Sequence, residues 1–151
     1  MGRTGAPPPA PGSTLQEKTY LELMRTADRL TRGAAAVLKT EDLSPTQYNV
    51  LRILRGAPGG LPCGEIGRRL ITREPDITRL LDRMEKRGLI SRCRQADDRR
   101  TVLTRITPQG LDTVHRLDAP VQAIHKKQLG HLRREQLLAL GALLREARGG
   151  I

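Results

Sequence analysis

QADDRRTVLTRITPQG, residues 95–110, decides the fold. It sets two carboxylates beside two guanidiniums, then an extended run, then a helix start. Leu89–Arg94 and Thr101–Ile106 read as two strands either side of this charged tip. Val102, Thr104 and Ile106 fall on one face, although Leu103 blurs the alternation. Thr107-Pro108-Gln109-Gly110 is a cap residue followed by proline at the first helical position. The charged tip has two readings. One is a solvated ion-pair turn, worth under about 1 kcal/mol. The other is a wing whose arginines probe a polyanion, with Asp98 orienting Arg100 so that less rotamer entropy is lost on binding. Two adjacent arginines exceed what solubility asks of a turn, which favours the wing.

Upstream of the hairpin lie two short helical segments. Gly64 to Leu70 forms the first. Thr72 is the expected cap of a longer helix that carries Pro75 in its first turn, where a missing N–H costs little. Ile77, Leu80, Leu81 and Met84 recur at helical spacing and form one buried stripe, and Gly88 ends the helix. Helix, turn, helix and hairpin together predict a winged helix. Its second helix enters a DNA major groove with its N-terminal residues at the base edges. Those residues are Thr72, Arg73, Glu74, Pro75, Asp76, Thr78 and Arg79, with Arg83 a turn further on the same polar face. Arginine pairs with guanine and a carboxylate accepts from cytosine, while Thr72 and Thr78 suit phosphate or a thymine methyl. The bland alternative is an ordinary solvated face of alternating charge. At the wing, Arg99 and Arg100 suit the negative potential of a narrow A·T-rich minor groove.

Further out, Ser44-Pro45-Thr46-Gln47 is a capping box that starts a helix running to Gly56. Leu15 to about Lys39 has helical periodicity, as do 108–130 and 133–148. Pro120 is expected to kink the first of these or to mark a restart capped by Asp118. The opening MGRTGAPPPAPGS is too rich in proline and glycine to pack and is predicted to be disordered. This gives a tail at 1–13, an N-terminal helix at 14–43, a winged helix-turn-helix at 44–107 and C-terminal helices at 108–151. The class is mainly α with a small β-hairpin. The apolar stripes of the end helices need a partner, and a second copy of the chain is the simplest.

Composition agrees. The 151 residues carry 27 Lys plus Arg against 16 Asp plus Glu, a net charge of +11. The excess is spread, with +5 in residues 63–110 and +3 in each flank. Such a balance favours a polyanionic partner. With no Phe, no Trp and two Tyr, the chain lacks the stacking platforms of single-strand binders. No apolar run is long enough to span a membrane and no signal-peptide pattern opens the chain, so a cytoplasmic protein is expected. There is no Gly-rich phosphate loop and no nucleophile with a spaced base, so an enzyme is not indicated and no cofactor is expected.

Three stretches carry a resemblance: LSPTQYNVLRIL (43–54), GEIGRRLITREPDITRLLDRMEKRGLI (64–90) and RQADDRRTVLTRITPQG (94–110). In this order and spacing the chain resembles the MarR family (multiple antibiotic resistance regulators) over about residues 15–148. The resemblance implies a homodimeric winged-helix repressor of a pseudo-palindromic double-stranded operator. Terminal helices of both chains would form the dimer interface. Residues 72–79 match the start of the family's recognition helix, and Asp98 and Arg100 match its wing pair. It also implies a pocket for a small phenolic or carboxylate effector, with Tyr20, Tyr48, Arg52 and His115 as candidate lining. Two departures stand out. Glu74-Pro75-Asp76 occupies a place where Ser or Thr is common, so base preference does not transfer. Arg133 replaces the usual Ser or Thr cap of the last helix.

Rival sensing chemistries are weaker. Cys63 precedes a helix N-terminus, where a thiolate is favoured. Cys93 lies in the first wing strand, and neither has a resolving partner in sequence. His115, His125 and His131 show no metal-ligand spacing, so no metal site is expected. From another class, a basic RNA-binding or ribosome-associated protein fits the charge equally well.

Overall fold

The computed structural model describes residues 12–149. The tail expected at 1–13 lies outside them apart from Gly12 and Ser13. Six helices and three strands follow in order: α1 (Leu15–Leu38), α2 (Pro45–Arg55), β1 (Leu61–Pro62), α3 (Cys63–Arg69), α4 (Ile77–Lys86), β2 (Ile90–Arg94), β3 (Val102–Ile106), α5 (Pro108–Leu129) and α6 (Arg134–Gly149).

Local capping sets the helix starts. The Thr14 hydroxyl accepts from Glu17 N at 3.2 Å and opens α1. Ser44 and Gln47 exchange side-chain and backbone hydrogen bonds, a complete capping box for α2. Thr107 accepts from Gly110 N at 3.0 Å and its own hydroxyl donates to Gly88 O at 2.6 Å, so one side chain starts α5 and holds it to the end of α4. Arg133 supplies no side-chain acceptor to α6. Instead the Gln136 side chain reaches back to accept from Arg133 N at 2.9 Å, which is half of a capping box.

The sequence reading needs four corrections. The helix expected from Thr72 starts at Ile77, capped by Asp76, whose carboxylate accepts from Arg79 N at 3.1 Å. Thr72, Arg73, Glu74 and Pro75 therefore precede α4. The expected two-stranded hairpin gains a third strand, Leu61–Pro62, which pairs with Thr104 and Leu103, so the sheet order is β1-β3-β2. α5 runs through Pro120 without a restart, and Asp118 caps nothing; both its oxygens accept from Arg55 Nη1, at 3.0 and 2.8 Å. The fourth correction concerns Asp98 and is given with the wing below.

The core lies inside the winged-helix body. Val50, Leu51 and Leu54 of α2, Ile66 of α3, Leu80, Leu81 and Met84 of α4, and Val114 and Leu117 of α5 are buried together with Leu89 and Ile90. Gly88 has φ +72°, the left-handed conformation that ends α4 and that glycine adopts without strain. Gly110 answers a different need. A Cβ there would lie 2.1 Å from Leu89 O, so α5 approaches the strand entry at backbone distance.

Candidate nucleic-acid interface and the adjoining cleft

Three pieces form the candidate interface: residues 71–76, the first turns of α4, and the wing. Thr72, Arg73, Pro75, Asp76, Thr78, Arg79 and Arg83 are exposed, and Glu74 is half-buried. Glu74 Oε1 accepts from Asp76 N at 3.1 Å. Both acids of the Glu74-Pro75-Asp76 segment thus bind local backbone donors and shape the turn into the helix.

The wing is a regular hairpin. Ile90 pairs with Ile106 and Arg94 with Val102. Across its tip, Gln95 N donates to Thr101 O and Thr101 N to Asp98 O, each at 3.0 Å. Asp98 does not bind the Arg100 guanidinium. Its carboxylate accepts from Thr101 Oγ1 at 2.7 Å and from Arg100 N at 3.0 Å. Those two donors, the Thr101 hydroxyl first, hold the carboxyl below its ordinary range. The acid orders the backbone of the tip and leaves Arg99 and Arg100 exposed.

An ion-pair cluster that the sequence reading missed links wing to helix. Arg92 of β2 reaches α4, where its Nε donates to Glu85 Oε2 at 3.0 Å and its Nη2 also meets Asp82. Arg92 N donates to Glu85 Oε1 at 3.1 Å. The Arg92 hydrogen bond keeps the Glu85 carboxyl below the usual range. No sequence period announces such a contact, because the partners sit on different elements.

The charges are therefore sorted, with one exception: Asp97 at the wing tip is exposed and has no hydrogen-bond partner among the described residues. Glu74, Asp76, Asp82, Glu85 and Asp98 all accept intramolecular hydrogen bonds. Among the described residues, the guanidiniums of Arg73, Arg79, Arg83, Arg99 and Arg100 have no intramolecular partner.

Behind this surface lies an open cleft of about 710 Å³. α1 contributes Leu30 and Leu38, and α5 contributes Val121, His125 and Leu129. α2 contributes Tyr48, Asn49 and Arg52, and Ile71 and Thr72 close the side nearest α4. The Arg52 guanidinium stands 5.9 Å from the Tyr48 ring centroid, within cation–π range. Of the four residues expected at a pocket, Tyr48 and Arg52 line this cleft. Tyr20 is exposed on α1 and His115 exposed on α5, both outside the lining, which takes His125 instead. Cys63 is half-buried against the core and Cys93 is exposed on β2. Among the described residues, no three His, Cys, Asp or Glu gather as a metal site.

A helix-turn-helix followed by a β2–β3 hairpin wing, with arginines free on both, defines a winged-helix DNA-binding protein. The sequence profile of the MarR family matches residues 43–102. A MarR transcription factor from Planctomyces limnophilus is 39% identical, with a TM-score of 0.69 over 88% of this chain and 97% of that one. The HTH-type transcriptional repressor IacR of Pseudomonas putida is 28% identical over 122 residues, 81% of this chain and 72% of the relative. Bordetella bronchiseptica BpsR, solved in a study of how 6-hydroxynicotinic acid regulates its DNA binding, superposes with a TM-score of 0.78. It is 23% identical, over 87% of this chain and 99% of that one. The chain belongs to the MarR family of transcription regulators. No described helix is long and apolar enough to cross a membrane.

Proposed function

We propose that this chain is a cytoplasmic, homodimeric repressor that binds a pseudo-palindromic duplex operator and is released by a small anionic or phenolic effector. It acts by binding and not by catalysis. The carrying observation is the sorting of charge: Glu74, Asp76, Asp82, Glu85 and Asp98, five of the six acids around α4 and the wing, are held by intramolecular donors, while Arg73, Arg79, Arg83, Arg99 and Arg100 stay free. Free guanidiniums on a helix and on a hairpin tip suit two grooves at once. Arg79 and Arg83 of α4 would read a major groove. Arg99 and Arg100 would enter the adjoining minor groove, where a narrow A·T tract concentrates negative potential.

Dimerisation is supported by the end helices. Leu15, Tyr20 and Met24 of α1 and Leu138 and Leu143 of α6 are exposed. A second copy would cover them and carry a second recognition helix to the next turn of DNA. The cleft supports the effector. Its volume lies within the range of small-molecule sites, and its walls are aliphatic with Arg52, His125 and Tyr48 as polar ends. An aromatic carboxylate or phenol has that complement, and 6-hydroxynicotinic acid, the compound studied with BpsR, is of this chemistry.

In vitro selection of random duplex DNA by the purified protein tests the reading. It should enrich a pseudo-palindrome with half-site centres one helical turn apart, preferred over random duplex by about 10³ or more. If no sequence is enriched and RNA competes as well as duplex DNA, the reading is wrong and a general RNA-binding role takes its place.

A further inference from the structure

Residues 71–76 join two helices of the DNA-binding unit but make few bonds of their own. α3 ends at Arg69 with its cap Leu70 in extended conformation, and α4 begins at Ile77. Ile71 is 88% exposed, although it is a large apolar residue. Among the described residues, one hydrogen bond ties this segment to the body outside α4: Ile71 N donates to Asn49 Oδ1 at 2.8 Å, across 22 positions of sequence. A backbone N–H can only donate, so the contact fixes which end of the Asn49 amide is oxygen. The other end, Nδ2, has no partner among the described residues.

Asn49 is also a wall of the cleft, as are Ile71 and Arg52. Arg52 lies three residues on from Asn49 along α2, so the two side chains are neighbours on the helix surface. An anionic oxygen held by Arg52 is therefore placed to accept from Asn49 Nδ2. The apolar body attached to it would lie against Ile71.

We propose that Asn49 is a positioning residue for the recognition helix. It holds the lead-in to α4 from inside the cleft, so that an occupant of the cleft acts on DNA binding through the Asn49–Ile71 hydrogen bond. This rests on the reading of α4 as the DNA-facing helix and of the cleft as the effector site. The bond holds Ile71–Asp76 where the first turn of α4 meets DNA. A ligand that draws the amide toward Arg52 loosens it, and affinity falls.

Two variants separate the role from general stability. Asn49→Leu keeps the bulk and removes the acceptor. Asn49→Asp keeps an acceptor for Ile71 N and removes the Nδ2 donors. On the selected duplex, Asn49→Leu should bind about three- to tenfold more weakly, the equivalent of one net hydrogen bond. Its melting temperature should stay near that of wild type, and exchange of the Ile71 amide hydrogen should accelerate. Asn49→Asp should bind within about twofold of wild type with that amide still protected. Wild-type affinity in Asn49→Leu, or equal losses in both variants, overturns the positioning role. Arg79→Ala serves as the control. If it too leaves binding unchanged, the DNA-facing reading of α4 has failed; if it alone weakens binding, only Asn49 has.

The coupling is read with 6-hydroxynicotinic acid as probe. It should weaken duplex binding by the wild type and add little to the loss in Asn49→Leu. An equal further loss in that variant overturns the hydrogen bond as the route. A probe that binds the wild type without changing its DNA affinity overturns the coupling, while the two variants still decide the positioning role.

Discussion

The winged-helix body and the end helices solve the burial problem in different ways. In the body, α2 alone buries Tyr48, Val50, Leu51 and Leu54, and α4 buries Leu80, Leu81 and Met84. α6 is sixteen residues long and buries none, and α1 buries only Leu38 of its twenty-four. Yet α6 is as leucine-rich as any part of the chain. Its Leu138 and Leu143 stand 61% and 63% exposed. Apolar side chains are thus distributed for two purposes: one set closes a core within the chain, the other is left for a surface the chain cannot supply alone.

That contrast can be broken from either side. The largest effect should come from Leu138→Glu combined with Leu143→Glu. This pair should convert the dimer to monomer in sedimentation analysis and lower operator affinity by at least about a hundredfold, since the two half-sites are no longer linked. The circular-dichroism signal of the body should survive. A double variant that remains dimeric would show that α6 does not form the interface.

Gly110→Ala attacks the body instead. The new methyl meets the Leu89 carbonyl at a distance no neighbour tolerates. It should cost about 1–3 kcal/mol in denaturant unfolding, the usual range for overpacking. Stability equal to wild type would mean that α5 can slide away from the strand entry.

Arg100→Ala leaves both regions folded. It should reduce operator affinity about tenfold and flatten the preference for A·T-rich flanks. A uniform loss with the preference intact would instead mark a phosphate contact.

Acid should have the smallest effect near neutrality. Glu85 is held below its ordinary range by Arg92, and Asp118 by Arg55. The folded state therefore binds fewer protons than the unfolded chain. The stability these carboxylates add is complete above about pH 5 and fades as pH falls below about 4. Thermal melts at pH 7 and pH 5 should agree, with a loss only in more acid buffer. A marked drop between pH 7 and pH 5 would mean that these two carboxylates do not set the acid limit.

Legibility in the sequence followed the range of the signal. Capping boxes and proline at the first helical position act within four residues, and they place the starts of α2 and α5 to the residue. The same local grammar misled at α4. Thr72 and Pro75 mimic a cap followed by proline, but Asp76 lies closer to the apolar stripe and its carboxylate captured Arg79 N. β1 carries no period at all in two residues, and its partners are some forty positions away. At the candidate interface, type and place predict a polar, exposed Arg79, Arg83 and Arg100, and all three are exposed. What the acids do is not legible in the same way. Asp98, expected to aim an arginine, orders the hairpin tip instead, because a backbone donor and a hydroxyl stand nearer than the guanidinium. Arg92, Arg55 and Asn49 all act across elements, where only the folded chain brings the partners together.

The three-stranded sheet has one further consequence. An order of β1-β3-β2 leaves two open edges, and an open edge invites another chain to add a strand. Both are blunted. β1 is two residues long and ends in proline, which has no N–H to offer. On β2, Arg92 N is already taken by Glu85, and the exposed Arg94 brings charge to the border. A protein that keeps leucines uncovered on its helices for association has closed off the strand route, along which association ends in aggregates.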